Sequence, residues 1–438
     1  MMYARVLRKR PAAALVRLRE QRWASRARSS SPIGMMGSDV PWDTFDAPMS
    51  EKHTHGSGRK AAMAIHQAKM PRDKDALEPS FYSEEVDRYA AMDQQPVTIQ
   101  SLLKISQPPL TREQLLENAQ FLCHERPIRY AKRVKLFQQL PFIVNLNPYI
   151  NSVYRLYYAN FEESRQFALV ETLSDERAFI GMLTRQSQLL RDIMPQIARG
   201  FYECRNYFCP AKSCQFLDQL IKMRIGLRLL TSQHIALFEQ FYGSSKGGRF
   251  QGIVDNRLPL AELVRACAQG VQSMCEMTFG MTPPFVVDGQ IDTVFRYIPG
   301  HLDYMLNELL KNAFHASIRA AQSQDRECPV VAVTISKGNG RVAIRIRDCG
   351  GGIPAEIHSK IFEYSFTTEH HSSEESSDGS LHIADNPVSG LGFGLPMTKI
   401  YAEYFGGSLN LISMEGHGCD AFLELPSIKI SQTPIVQI

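Results

Sequence analysis

The residues best suited to chemistry stand near the middle of the C-terminal half. In the stretch HLDYMLNELLKNAFHASIRA, Leu302, Met305, Leu306, Leu309 and Ala313 recur at helical spacing and define one apolar face. Glu308, Lys311, Asn312 and His315 fall on the other side, and the carboxylate of Glu308 and the carboxamide of Asn312, at i and i+4, share one direction in space. A solvated helix face would present the same residue types, so the pair gains weight only from the segments downstream of it. Arg341 to Arg347 alternates like a strand and ends in Asp348-Cys349-Gly350-Gly351-Gly352, where backbone can approach a ligand closely. An aspartate at such a strand end can accept a hydrogen bond from an exocyclic amine such as that of adenine. Farther on, Gly390-Leu391-Gly392-Phe393-Gly394-Leu395-Pro396 runs into a helix, and glycines opening a helix N-terminus offer backbone N–H groups to polyphosphate. Another glycine pair, Gly416 and Gly418, precedes the last strand-like run.

The elements that must position these groups follow from the hydrophobic pattern. Strand-like runs are expected at Val330 to Ile335, Arg341 to Arg347, Gly407 to Ile412 and Cys419 to Leu425, with helices at Leu260 to Met277, His301 to Gln322 and Leu395 to Tyr404. Upstream the pattern is helical throughout: Arg112 to Glu125, Ile128 to Gln139, Tyr149 to Phe167, Ser174 to Cys204 with Ser174 and Asp175 as caps, and Cys214 to Phe241. The expected organisation is a helical bundle of four-helix type over 96–250, then an α+β nucleotide-binding domain over 251–438. Residues 32–95 read as a linker with short helical pieces. Residues 1–31 carry Arg5, Arg8, Lys9, Arg10, Arg17, Arg19, Arg22, Arg26 and Arg28 against Glu20 alone, the composition of a mitochondrial presequence.

Bulk composition excludes other classes. The 438 residues are 44% hydrophobic and 21% charged with a net charge of +4, which gives no case for a nucleic-acid surface. No run approaches the roughly 18 apolar residues of a membrane span. Nine cysteines in a chain of this length argue for reduced thiols rather than a disulfide framework. Cys204, Cys209 and Cys214 do not keep one helix face, which argues against a zinc site, and His370-His371 reads as part of a solvated loop. Walker, Rossmann and eukaryotic protein-kinase signatures are absent.

The ordered set of Glu/Asn helix, DxGxG turn, GxGxG before a helix and GxG before a strand resembles the GHKL ATP-binding superfamily, with its Bergerat α/β sandwich. Within it, LDYMLNELLKNA, IRDCGGGI, EYSFTTE and GLGFGLPMTKIYAEYFGGSLNL look like the mitochondrial 2-oxoacid dehydrogenase kinases, as do RPIRYAKRVKLFQQLPFIVNLNP and FLDQLIKMRIGLRLLTSQHIALFE in the helical half. The similarity spans about Leu110 to Leu425. A sensor histidine kinase would need a phospho-accepting histidine, and His66, His124 and His234 are better suited to packing or partner contacts. Asn147-Pro148, Asp303-Tyr304 and Gly226 resemble the branched-chain branch more than pyruvate dehydrogenase kinases, in which a histidine stands where Tyr304 does and the C-terminal tail carries an Asp-Trp pair. Here Trp23 and Trp42 are both N-terminal.

The resemblance implies a protein serine kinase that inactivates the E1 component of a mitochondrial 2-oxoacid dehydrogenase complex, with the branched-chain enzyme expected and the pyruvate enzyme as the alternative. It implies Glu308 as base, Asn312 on Mg²⁺, Lys311 on phosphate and Asp348 on adenine. Gly350, Gly352, Thr367, Thr368, Gly390, Leu391, Gly392, Phe393, Gly394 and Leu395 would line the nucleotide. ATP, Mg²⁺ and K⁺ are the bound groups it implies. The E1 α subunit, a lipoyl-bearing E2 core and a second copy of the chain are the partners, in the mitochondrial matrix. The polar stretch EHHSSEESSDGS within Thr367 to Ser389 reads as an ATP lid. Arg224 and Arg228, at i and i+4 in an otherwise apolar helix, either bridge to carboxylates or, as in the family, line a pocket for an inhibitory 2-oxoacid; Leu190 stands where the family often adds a pocket histidine. Three departures, His315, Cys349 and Cys419, leave the carboxylate, the amide and the aspartate intact and bear on transfer rate instead. They also keep open a nucleotide-sensing, non-catalytic adaptor on the E2 core. A chaperone-like GHKL machine would need large domains after the ATP site.

Overall fold

The computed structural model describes residues 83–427 apart from 108, 244–248, 339, 365 and 367–391. The expected presequence, most of the expected linker, His66 and the polar stretch EHHSSEESSDGS therefore lie outside the described residues. The architecture is the two-part α+β one: helices first, then a sheet domain.

Helix α1 (Glu84–Ala90) is one of the short helical pieces of the 32–95 stretch, and α2 (Ile99–Ile105) follows it. Gln95, at the foot of that stretch, donates its N–H to Glu125 at 3.3 Å. Glu125 in turn forms a buried ion pair with Arg129 at 3.2 Å.

The next helix corrects the sequence reading, because Arg112 to Glu125 and Ile128 to Gln139 are one helix, α3 (Arg112–Gln138), running through Pro127. An interior proline costs about 3 kcal/mol by loss of a hydrogen bond and a ring clash. Here every residue from Glu125 to Ala131 is buried, so packing on both sides of the proline offsets that cost. Thr111 starts the helix with a reciprocal cap to Gln114. A short helix, α4 (Phe142–Asn145), leads to α5 (Pro148–Gln166), capped by Asn147 with Pro148 in its first turn.

The predicted helix Ser174 to Cys204 is in fact two, α6 (Leu173–Leu189) and α7 (Ile193–Glu203). Pro195 supplies the reason: it has no N–H for the carbonyl four residues back, so the chain turns at 190–192 and restarts with the proline in a first turn. The cap of α6 is Thr172, two residues before Ser174, and Asp175 returns the bond as its third helical residue. Helix α8 (Pro210–Tyr242) begins four residues earlier than expected. It packs against α3 and α6, α3 packs against α5, and α7 lies along α5.

The sheet domain opens with β1 (Phe250–Gln251) and β2 (Val254–Pro259), which with β4 (Val294–Tyr297) make a small antiparallel sheet. The main sheet has the order β3-β5-β6-β8-β7, formed by Phe285–Gly289, Val331–Gly338, Arg341–Arg347, Gly418–Pro426 and Ser408–Met414 respectively. Only the β3–β5 pair is parallel. One face, with Val333, Ile335, Ile344, Ile346, Leu409 and Leu423, is buried under α9 (Leu260–Phe279), α10 (Pro299–Gln324) and α12 (Gly394–Tyr404), while α11 (Ala355–His358) is a single turn. The two parts meet where α8 touches α12. Gly226 in α8 leaves room there, since a β-carbon at that position would come within 2.9 Å of the Tyr404 hydroxyl.

Candidate active site

Helix α10 is the backbone of the site. Its predicted stripe of Leu302, Met305, Leu306, Leu309 and Ala313 is buried, packed toward α9, α12 and the sheet. Aromatic contacts fix its start against α12: His301 meets Tyr401 at 4.9 Å and Phe405 at 5.7 Å between ring centroids. The opposite side carries Glu308 and Asn312, the first partly buried and the second exposed.

Two backbone segments converge on that side of α10. The turn after β6 comes down on Ala316, where a β-carbon at Gly350 would stand 2.5 Å from the Ala316 carbonyl carbon. The N-terminus of α12 comes down on Glu308, whose carboxylate abuts Gly394. Positions 308, 312 and 316 lie at i, i+4 and i+8, so the two landing points are about 12 Å apart along the axis, with Asn312 between them. The separation is of the order of a nucleoside triphosphate laid along the helix.

At the Asp348 end, the carboxylate Oδ1 accepts the N–H of Gly350 at 2.9 Å and of Cys419 at 3.3 Å. Burial pushes its pKa up to about 6, against the pull of those two N–H groups. Gly416 and Gly418 clasp this turn from the other strand. The N–H of Gly416 reaches the Gly351 carbonyl at 2.8 Å, and a β-carbon at Gly418 would stand 2.9 Å from Cys349 Cα. Gly352 has φ 75° and packs against the carbonyls of Met414 and Gly418, which excludes any side chain there.

At the other end, Lys311 is buried and donates to Glu308 at 2.5 Å. Its charge thus meets the Glu308 carboxylate within the same helix. Phe393 is fully buried, with its ring 5.0 Å from Tyr364, so only its backbone can face a ligand. Gly392 and Gly394 flank it and Leu395 follows, while Thr367, Thr368, Gly390 and Leu391 lie outside the described residues. Of the departures, His315 packs its ring on Phe279 at 5.2 Å, Cys349 is exposed, and Cys419 serves Asp348 through its main chain.

Sequence reasoning passed over the clasp formed by Gly416 and Gly418 and the bond from Tyr364 to Asp218 of α8, 2.6 Å long, which ties the segment before the lid to the helical part. The order of glycines hinted at the first; nothing local in the sequence marks the second.

Arg224 and Arg228 are half-buried, and Arg224 donates to the Leu190 carbonyl at 3.4 Å rather than to a carboxylate. The Tyr157 hydroxyl, buried and without a hydrogen-bond partner, lies within electrostatic reach of Arg224 and of fully buried Arg133. His234 is also buried, hydrogen-bonded to Asn118 at 3.1 Å and held neutral by burial, its pKa lowered to about 3. With no exposed surface, its ring is closed to a phosphoryl donor, which does not suit a phospho-acceptor. Among the described residues, no group of three or more His, Cys, Asp or Glu stands close enough to hold a metal ion, and no helix is long and apolar enough to cross a membrane.

Two family models and several curated relatives match the chain. Residues 96–255 match the family model described as mitochondrial branched-chain alpha-ketoacid dehydrogenase kinase, and residues 298–429 match that of the histidine kinase-, DNA gyrase B- and HSP90-like ATPases. A mitochondrial [pyruvate dehydrogenase (acetyl-transferring)] kinase of Arabidopsis thaliana is 32% identical over 362 residues, covering 82% of this chain and 97% of that one. Kinase 1 of the same name from Saccharomyces cerevisiae is 29% identical over 348 residues, covering 78% and 86%, and isozyme 3 from Homo sapiens is 27% identical over 372 residues, covering 79% and 86%. These matches, on a chain with a helical N-terminal half and an α/β sheet domain, establish that it belongs to the mitochondrial 2-oxoacid dehydrogenase kinases, protein kinases of the GHKL superfamily.

Proposed function

We propose that the chain transfers the γ-phosphoryl group of ATP to a serine on the E1 α subunit of pyruvate dehydrogenase in the mitochondrial matrix, and thereby inactivates it. The observation that carries the catalytic part is the convergence of the Asp348 turn and the α12 N-terminus on one side of α10, about 12 Å apart. Adenine lies at Asp348, the phosphates run past Asn312 toward α12, and the γ-phosphorus lies beside Glu308. The Glu308 carboxylate accepts the serine hydroxyl proton. The serine Oγ–P bond forms as the bond from phosphorus to the ADP oxygen breaks, and ADP leaves with that electron pair. Lys311, bonded to Glu308, fixes the carboxylate's direction.

Mg²⁺ suits Asn312. Among the described residues the site offers it one exposed carboxamide and no carboxylate cage, and this metal keeps water and phosphate in its octahedron. When bound it neutralises phosphate charge. K⁺ enters on the family resemblance.

Substrate choice favours pyruvate dehydrogenase because the curated relatives carry that name. The features that pointed to the branched-chain branch have local structural work. Asn147 and Pro148 start α5, Asp303 accepts the Cys267 thiol at 3.2 Å, Tyr304 packs on Tyr401 at 5.1 Å, and Gly226 makes room for Tyr404. The branched-chain enzyme stays as a second reading on the name of the matching family model. The adaptor reading loses its support, since His315, Cys349 and Cys419 disturb neither Glu308 nor Asn312. A lipoyl-bearing E2 core and a second copy complete the proposed assembly. The sheet face turned away from the helices, with Ile412 and Met414 exposed, suits the second copy.

Incubation with Mg-ATP and each reconstituted complex, followed by phosphoserine mapping, tests the choice. Phosphoserine on pyruvate dehydrogenase E1 is expected, and modification of the branched-chain E1 alone would reverse it.

A further inference from the structure

The glycines around the candidate site are not equivalent. A β-carbon at Gly350 would strike the backbone of Ala316, and one at Gly392 would stand 2.6 Å from the backbone nitrogen of Phe366. Backbone cannot move aside cheaply, so those two positions are required by the fold. Gly394 differs on each count. It is the first residue of α12, outside the left-handed region, where alanine would favour the helix by up to about 1 kcal/mol. The atoms a methyl group would meet there all belong to one side chain. Glu308 Cδ would lie 3.3 Å away and Oε2 closer still.

Glu308 is held from two directions. Oε1 takes the bond from Lys311, itself buried, and Oε2 occupies the volume left open at Gly394. Thr398, fully buried one turn into α12, bonds the Gly394 carbonyl at 2.8 Å and keeps that first turn in place. A methyl group at 394 would therefore be accommodated by the one element able to move, the end of a flexible carboxylate side chain. Folding would be spared, and the carboxylate would leave its place.

We infer that Gly394 is a positioning residue for phosphoryl transfer, needed for the space it leaves to the Glu308 carboxylate as distinct from any contact with phosphate. The inference rests on Glu308 being the base. It separates two roles that a glycine-rich loop usually merges, nucleotide approach and placement of the group that takes the serine proton.

The test uses the full chain carrying Gly394→Ala, Glu308→Ala, Glu308→Asp and the double variants, assayed with its E1 complex. Gly394→Ala is expected to keep its unfolding midpoint and an ATP affinity within about threefold, while kcat falls by about 10²-fold, the cost of roughly 1 Å of misplacement. Gly394→Ala with Glu308→Ala should be no slower than Glu308→Ala alone, because the displaced group is already gone. Shortening the side chain by Glu308→Asp in the Gly394→Ala background should raise kcat above that of Gly394→Ala. A Gly394→Ala protein with wild-type kcat, or one whose nucleotide affinity falls as far as its rate, overturns the inference while the base assignment stands if Glu308→Ala is inactive. Wild-type transfer by Glu308→Ala overturns both.

Discussion

Replacing Asp348 by asparagine separates what this residue does for the fold from what it does for the nucleotide. Both turn bonds converge on Oδ1, which accepts from Gly350 and Cys419, and an asparagine keeps a carbonyl oxygen there. Burial raises the Asp348 pKa from 3.8 to about 6. At 1.36 kcal/mol per pH unit, that difference makes the ionised form about 3 kcal/mol less favourable in the folded apo chain than in the unfolded one. Proton counting sets the sign: between pH 3.8 and about 6 the folded state binds more protons than the unfolded one, so this residue's contribution to stability falls as pH rises through that window. Asp348→Asn removes the loss. Apo Asp348→Asn should therefore match wild type near pH 3.8 and exceed it, by up to about 3 kcal/mol, above pH 6. ATP binding should go the other way, because an amide N–H₂ would face the adenine amine, donor against donor. Loss of a bond to a charged acceptor and a stranded donor together cost about 3–6 kcal/mol, or roughly 10²- to 10⁴-fold in Kd. Urea unfolding across pH and calorimetry with ATP read the two effects. Wild-type ATP affinity in Asp348→Asn, or a stability loss independent of pH, would refute the reasoning.

Other perturbations probe the remaining assignments. Asn312→Ala should weaken ATP binding about tenfold or more in Mg²⁺ and little without it, whereas Asp348→Asn should weaken both equally; calorimetry with and without the metal decides. A 2-oxoacid should inhibit without competing with ATP, drawn by Arg224, Arg228 and the unpartnered Tyr157 hydroxyl, and Arg224→Met should abolish the inhibition with the fold intact; equal titration heats in both proteins would count against the pocket. Tyr364→Phe should cost about 1.5–3 kcal/mol of stability by breaking the bond to Asp218, and a double-mutant cycle with Asp218→Asn should show the two losses overlapping rather than adding.

The sequence disclosed what is local and periodic. The α10 stripe and strand β6 lie where hydrophobic spacing places them, and the glycines at 350 and 394 close on α10 while Gly418 closes on the Asp348 turn. What escaped was set by partners distant in sequence. Pro127 reads as a helix break until the packing on both sides of it is known, and Pro195 passed unnoticed inside an otherwise continuous helical pattern. Strand β3 is short, half-exposed and joined to β5 in parallel, so no alternation or hairpin turn marks it. The ion pair between Lys311 and Glu308, at i−3, depends on the rotamers both side chains adopt once buried, which residue type and spacing leave open. The bond between Tyr364 and Asp218 joins residues 146 apart in the chain, and no local pattern encodes that.

Transfer of labelled γ-phosphate from ATP to an E1 serine, compared between wild type and Glu308→Ala alongside the ATP affinity of each, bears most directly on the proposed chemistry. Labelled serine with wild type, a rate at least about 10²-fold lower with Glu308→Ala, and ATP affinity unchanged within about threefold are the expected results. Undiminished transfer by Glu308→Ala, or no transfer by wild type to any 2-oxoacid dehydrogenase E1, would contradict the account.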